Sequence, residues 1–356
     1  GKGANLGELA RAGMAVPPGF VVTTAAYERF VAANGLAEAI AAEMRDAGSD
    51  GAAIREAFVA GAMPEGIAAE IVAAYAEMGG GAVAVRSSAT AEDLPQAAFA
   101  GQQESYLNVL GDSALLDATR RCWASLWTER AIAYREQQGM AEEPVALAVV
   151  VQRMVTAREG ELVAGVMFTA NPVTGARGET VIDASAGLGE ALVSGVVTPD
   201  SYVLQRRRGK WRVRQQSAGR REAMVRALPG GGTEQVSGVD VEEWPVLQEP
   251  VLRRLAGLGA QIEAHFGAPQ DVEWAWDGQA LFILQARPMT ALPEPLGHVS
   301  KPAQLLSGIF AEMMPGRPYP LEATTWGPGM MWSSFITPFM GLLGLKALPI
   351  EALLPE

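Results

Sequence analysis

One cysteine and two histidines occur in 356 residues, and cations are outnumbered, 28 Lys and Arg against 40 Asp and Glu. A single Cys122 excludes internal disulfides and fits a reducing cytoplasm, with the thiol read as a buried helix residue. His265 and His298 sit in no Gly- or Ser-rich setting that would present a nucleophile, so both read as structural. The net charge of −12 and a pI near 4.9 argue against nucleic acid and anionic membrane as partners, because phosphate backbones are held by clustered cations. Any phosphate site must therefore be a local gathering of Lys and Arg. Long apolar runs are missing as well. Residues 328–355 are rich in Met, Trp, Phe and Leu, but Pro338 and Lys346 interrupt them too soon for a membrane span. No signal peptide is visible, and both ends read as cut within a longer protein.

What is present is an ordinary core composition, 49% hydrophobic and 19% charged, on a chain long enough for one large domain or two moderate ones. Residues 24–78 follow helical patterns broken by glycine, with Thr24 as an N-cap and Gly35 as a stop. A strand through Ala82–Val85 runs into Arg86, another covers Tyr106–Val109, and one long helix is expected over 113–138, capped by Ser113. From Ala146 the period changes to that of strands, at 146–155, 162–169, 180–184, 201–205 and 210–215. Arg206-Arg-Arg-Gly-Lys210 and Gly230-Gly-Gly read as a solvated ribbon, and Leu252–Phe266 as a helix. This is an α+β architecture of two lobes, about 1–145 and 146–290, and nucleotides bind in clefts between such lobes. Residues 291–356 read as a linker and the start of a following substrate domain.

Residues 271–287 are the most informative stretch. They form two short strands around Asp277-Gly278, with Asp271, Glu273, Gln285 and Arg287 among apolar neighbours. Carboxylate and amide oxygens suit Mg²⁺, and a guanidinium suits phosphate. The rival reading is an edge hairpin with solvated charges. A two-residue turn would put Glu273 and Gln285 on opposite faces, whereas a three-residue loop ending in a left-handed Gly278, with a bulge, brings them to one face. A metal site requires the odd loop.

Four further segments offer binding chemistry. Lys2 lies among glycines at a helix entrance that favours an anion, although it also reads as a solvated lysine. Arg86 ends a hydrophobic strand beside Ser87, Ser88 and Thr90, a phosphate fork whose rival is a salt bridge to Glu92 or Asp93. The small residues around Gly101 would let a loop fold over phosphate as a lid. Gln152-Arg-Met154-Val155 ends a valine strand, and such an apolar linker can read an adenine ring or serve only as an inter-lobe strand. Gly187-Leu-Gly-Glu190 is a weaker signal of the same glycine-loop kind.

In order along the chain, Gly1-Lys-Gly-Ala-Asn-Leu-Gly-Glu-Leu9, Arg86-Ser-Ser-Ala-Thr-Ala-Glu-Asp-Leu-Pro95, Phe99-Ala-Gly-Gln-Gln103, Gly165-Val-Met-Phe-Thr-Ala-Asn-Pro172, Gly187-Leu-Gly-Glu190 and Asp271-Val-Glu-Trp274 through Leu284-Gln-Ala-Arg-Pro288 resemble the nucleotide-binding domain of the phosphoenolpyruvate synthase, pyruvate phosphate dikinase and rifampicin phosphotransferase group. The resemblance implies an ATP-grasp fold with ATP in the inter-lobe cleft. It implies Lys2 and Arg86 on the phosphates, with Gly101 and Ser105 in the covering loop, where Ser105 replaces a threonine of rifampicin-type relatives. It implies Gln152, Met154 and Val155 at the adenine side, Glu273 and Gln285 on Mg²⁺, Arg287 on the transferring phosphates and Asp271 in support. It also implies AMP formation through a pyrophosphorylated histidine on a swivelling domain. No Thr-Ser-His segment of that kind occurs here, so the histidine is expected outside this chain. The connection Thr156–Leu162 is longer than in relatives, and no strand precedes Lys2. Residues 309–326 are similar to the entry of a rifampicin-type substrate domain. Rival functions are a nucleotide-binding module without chemistry and an ATP-grasp carboxylate–amine ligase releasing ADP.

Overall fold

β-Branched side chains pack well on a pleated surface, and the valine-rich segments of this chain form sheets accordingly. The computed structural model describes residues 1–43, 50–89, 105–137, 145–158, 162–195, 197–220, 223–237, 247–290 and 292. The chain divides into a unit at Gly1–Pro295 and a second at Leu296–Glu356, which lies outside the described residues. The first unit mixes helix and sheet, an α+β fold.

A four-stranded antiparallel sheet runs in the order β1 (Gly19–Val22), β4 (Leu147–Arg153), β2 (Val83–Ala89), β3 (Ser105–Val109). Helices α1 (Lys2–Arg11), α2 (Thr24–Ala33), α3 (Ala37–Glu43), α4 (Ala52–Ala60), α5 (Glu65–Glu77), α6 (Asp112–Ala124) and α7 (Glu129–Gln137) accompany it. Phe30, Phe58, Leu115, Trp123 and Val149, all fully buried, fill the core between α2, α4, α6 and the sheet. Thr23, not Thr24, is the N-cap of α2. The single helix expected over 113–138 is two: α6 passes through a 3-10 turn at Ser125–Trp127 and α7 restarts where the Thr128 hydroxyl accepts from Ala131 N–H at 3.3 Å. Its N-cap is Gly111 rather than Ser113. A hydroxyl that caps a new turn competes with continuation of the old one.

The second sheet has six antiparallel strands, β12 (Leu281–Pro288), β11 (Gln270–Trp276), β5 (Val163–Phe168), β6 (Glu179–Ala186), β7 (Asp200–Arg207) and β8 (Lys210–Ser217), in that order. α9 (Glu249–Phe266) lies on one face through Leu252, Leu255, Ala256, Gly259 and Ile262, a helical stripe, and ends at Gly267 with φ 72°. A short α8 (Glu190–Val193) and a two-stranded ribbon, β9 (Ala223–Ala227) and β10 (Thr233–Ser237), complete the unit. By pairing, β4 belongs to the first sheet, while Leu9 of α1 joins the core of the second. Sheet membership thus changes after Arg153. Cys122 is buried on α6. Among the described residues, no single helix is long and apolar enough to cross a membrane.

Candidate nucleotide site

The hairpin β11–β12 builds the site, and its register is unlike the sequence expectation in mechanism though not in outcome. The loop is even: Asp277 N–H donates to Ala280 O at 3.2 Å around Gly278 and Gln279, and Gly278 takes φ 97°. The Asp277 carboxylate fixes it by accepting from Gln279 N at 2.9 Å and Ala280 N at 2.7 Å. Pairing proceeds as Trp276 with Leu281 and Trp274 with Ile283, then shifts, so that Glu273 faces Gln285 and Asp271 faces Arg287. Leu284 is the extra residue of a bulge. An odd step inside the strand thus replaces the odd loop, and it brings the carboxylate and amide to one face.

Arg86 reaches this face from β2. Its Nη2 lies 2.5 Å from Glu273 Oε2, and Nη1 donates to Leu284 O at 3.3 Å, the carbonyl of the bulge residue. The partner is thus Glu273, across the two sheets; Glu92 and Asp93 lie outside the described residues. Lys2 comes from α1, which is tied to β12 by Asn5 Nδ2 donating to Ala286 O at 3.2 Å. Lys2 Nζ donates to Ser87 O at 3.0 Å and acts electrostatically on Glu273. Arg287 is held by Asp271, with Nε and Nη2 at 2.9 and 2.8 Å from Oδ2. Burial opposes the charge on Glu273, but Arg86, then Lys2 and Arg287, outweigh it, so the carboxyl is held below its ordinary value. Asp271 goes the other way: burial outweighs Arg287, Glu273 adds repulsion, and the carboxyl is pushed up.

Beside these charges opens a pocket of about 370 Å³. Arg86, Ser105 and Gln152 line it from the first sheet and Glu273, Trp274 and Leu284 from the second. Met154, Val155, Leu162 and Leu188 make its apolar end. Ser105 is exposed and sits opposite Arg86 in the β2–β3 ladder. Gln152 is 3% exposed, and its Nε2 meets no acceptor. Gly165 is required in the floor: a Cβ there would stand 1.9 Å from Asp183 O and 2.7 Å from Trp274 Cζ2. The connection after Val155 is anchored to the hairpin turn by Arg158, whose N–H donates to Asp277 O at 2.8 Å and whose Nε lies 3.0 Å from Asp277 Oδ2.

Of the residues singled out in the sequence, Arg86, Ser105, Gln152, Met154, Val155 and Glu273 line the pocket itself. Lys2, Gln285, Arg287 and Asp271 gather around Glu273 but do not line it. Gly101 lies outside the described residues. Sequence reasoning undervalued the Gly187–Glu190 segment, which supplies Leu188, Gly189 and Glu190 to the pocket wall. Asn5, which docks α1, was passed over within a motif already quoted.

A metal fits this donor set. Gln285 is 5% exposed and its Oε1 has no hydrogen-bond donor, so a buried acceptor waits across the ladder from an ionised carboxylate. Among the described residues no three His, Cys, Asp or Glu side chains form a metal cage. Mg²⁺ bound to nucleotide needs only one or two protein ligands besides phosphate and water.

The family model for the pyruvate phosphate dikinase AMP/ATP-binding domain matches residues 1–304. The chain belongs to this family. It is 43% identical over 349 residues to a probable phosphoenolpyruvate synthase of Pyrococcus horikoshii, covering 83% of this chain and 42% of that protein. The phosphoenolpyruvate synthase of Pyrococcus furiosus is 42% identical over 349 residues, with the same coverage of 83% and 42%. A rifampicin phosphotransferase of a Streptomyces species is 44% identical over 341 residues, 92% of this chain and 38% of its own length. The chain thus spans about two fifths of the length of the curated relatives it matches. A solved D-cycloserine synthetase, DcsG, overlaps with TM-score 0.29 at 14% identity over 88% of this chain and 69% of that one, too slight to bear on the fold.

Proposed function

We propose that this chain is the ATP-binding part of a dikinase-type phosphotransferase, an ATP-grasp fold whose nucleotide lies between the two sheets. On this reading it binds Mg-ATP and delivers a pyrophosphoryl group to a histidine on another domain, leaving AMP. The observation that carries it is the meeting of Arg86, Lys2 and an ionised Glu273 beside the orphaned oxygen of Gln285, at one end of an apolar pocket. Relatives at this identity are phosphoenolpyruvate synthases and rifampicin phosphotransferases, which fits.

The adenine is placed against Met154 and Val155, with Gln152 Nε2 as a donor to a ring nitrogen. The phosphates run toward Arg86 and Lys2, past Ser105. Glu273 and Gln285 would hold Mg²⁺, which would neutralise phosphate charge when bound. Arg287, steered by Asp271, faces negative charge that grows as the bond to the leaving phosphate breaks. The residues do no covalent chemistry. They position, exclude water and hold charge.

The test uses the intact protein with Mg-ATP and separates AMP from ADP. Wild type should form AMP, and Arg287→Ala should form none while unfolding within a few degrees of wild type. Unchanged turnover in Arg287→Ala rejects the assignment. ADP formed with a carboxylate and an amine would identify a ligase, and an absence of Mg-ATP binding a module without chemistry.

A further inference from the structure

The β9–β10 ribbon has no part in the chemistry above, yet one buried residue fastens it to the opposite sheet. Asn108 of β3 is 3% exposed and takes φ 54°. Its Nδ2 donates to Leu228 O and to Gly232 O, each at 2.7 Å, and its own carbonyl accepts from Gly232 N–H at 2.9 Å. Asn is one of the few side chains that enter the left-handed region readily, and only a carboxamide supplies two donors there. A hollow of about 520 Å³ lies between β3, α6 and the Gly230–Gly232 turn, so at the turn itself the junction is made by the hydrogen bonds of Asn108. Away from the turn, Leu107 of β3 packs in one cluster with Val225 and Ala223 of β9.

The ribbon in turn supports the pocket. Val225 O of β9 accepts from Leu188 N–H at 2.8 Å, and Thr233 Oγ1 donates to Glu190 Oε2 at 3.4 Å. Gly187, at φ 86°, lets this approach happen, since a Cβ there would lie 2.5 Å from Val225 O. Leu188, Gly189 and Glu190 are pocket wall, and Ser105, three residues before Asn108, stands opposite Arg86. We infer that Asn108 is a positioning residue for nucleotide binding: it locks the ribbon to β3 and so fixes the Leu188–Glu190 wall at its distance from Arg86 and Ser105. This rests on the nucleotide reading above.

The test is calorimetry of the whole chain with Mg-ATP. Asn108→Asp keeps shape and backbone preference but aims a carboxylate oxygen at two carbonyls, and it should weaken binding about tenfold by depopulating the competent wall position. Asn34 is the control. It bridges Phe30 O at 2.9 Å and Ala62 O at 3.0 Å on the far side of the first core. Asn34→Asp should lose some stability with Mg-ATP affinity unchanged within about twofold. Equal weakening in both variants, or wild-type affinity in Asn108→Asp, overturns the inference. If Asn108→Asp fails to fold, Asn108→Gly decides, because it keeps φ and the main-chain bond. About threefold weaker binding there supports the role, and wild-type binding overturns it. If wild type itself binds no Mg-ATP, the nucleotide reading fails instead, and that outcome is visible before any variant is made.

Discussion

Arg86→Met removes the strongest counter-charge at Glu273 while keeping a long apolar side chain in place. The two side chains are 13% and 24% exposed, so the pair is largely but not wholly withdrawn from water. Removing one partner of a fully buried pair costs about 3–5 kcal/mol, and the remaining exposure here reduces that to about 2 kcal/mol at neutral pH. The pH dependence is the sharper part. In the wild type Glu273 is held below its ordinary value, so its contribution is present at neutral pH and is lost as pH falls through the folded value. Without Arg86, burial is the largest influence left, opposed only by Lys2 and Arg287, and the carboxyl should rise above its ordinary value. Such a group favours folding when protonated and loses that contribution as pH rises. The stability gap between wild type and Arg86→Met should therefore be widest near pH 7.5 and shrink by about half near pH 4.5, close to the ordinary glutamate value of about 4.3. Urea unfolding followed by circular dichroism at both pH values measures it, and the difference between variants cancels the other carboxylates. A gap that stays constant or widens on acidification would refute the view that Arg86 sets the charge of Glu273.

Two further outcomes follow from single atoms. Gln285→Leu removes an orphaned buried acceptor, so folding stability should be equal or higher. Mg-ATP affinity should fall about tenfold, whereas ATP binding in excess chelator should be unaffected. Calorimetry with and without Mg²⁺ reads both, and equal losses in the two buffers would exclude a metal role. Gly165→Ala places a methyl 1.9 Å from Asp183 O in the middle of a sheet, and about 3 kcal/mol or more of stability should be lost, or the soluble yield with it. Unfolding within about 0.5 kcal/mol of wild type would show that the sheet yields there more than its packing implies.

Strand positions in the second sheet were legible because short runs rich in β-branched residues lie between Gly, Pro and Asn, as in 163–168 and 200–207. Gly19–Val22 was not, since four residues carry too little period to separate a strand from an approach to a helix. β9 and β10 were hidden by glycines and charges that read as a solvated ribbon, and only Asn108 and Leu188 reveal what the ribbon does. Site residues scattered over 285 positions were recognised individually by chemical type and jointly by motif order. Their convergence is a tertiary fact. Leu9 is the reason Lys2 arrives, because it buries α1 in the core of the second sheet rather than the first.

The bulge at Leu284 shows how local geometry and site chemistry are joined. Parity along the hairpin decides whether Glu273 and Gln285 share a face, and a residue inserted anywhere between them has the same effect on parity. Inserted in the loop, it would leave the ladder regular beside the site. Inserted at 284, it also turns a carbonyl out of the ladder, and Arg86 Nη1 takes that carbonyl while Nη2 takes Glu273. By holding Leu284 out of the pairing, the bulge keeps the two metal-ligand candidates opposite each other and gives the guanidinium a second anchor. Arg86 is then fixed at both nitrogens before nucleotide arrives, so less side-chain entropy remains to be lost on binding. Deleting Leu284 would leave Gln285 opposite Glu273 in a regular ladder but would remove the out-turned carbonyl that Arg86 Nη1 takes. That loss marks the bulge as part of the site rather than an irregularity beside it.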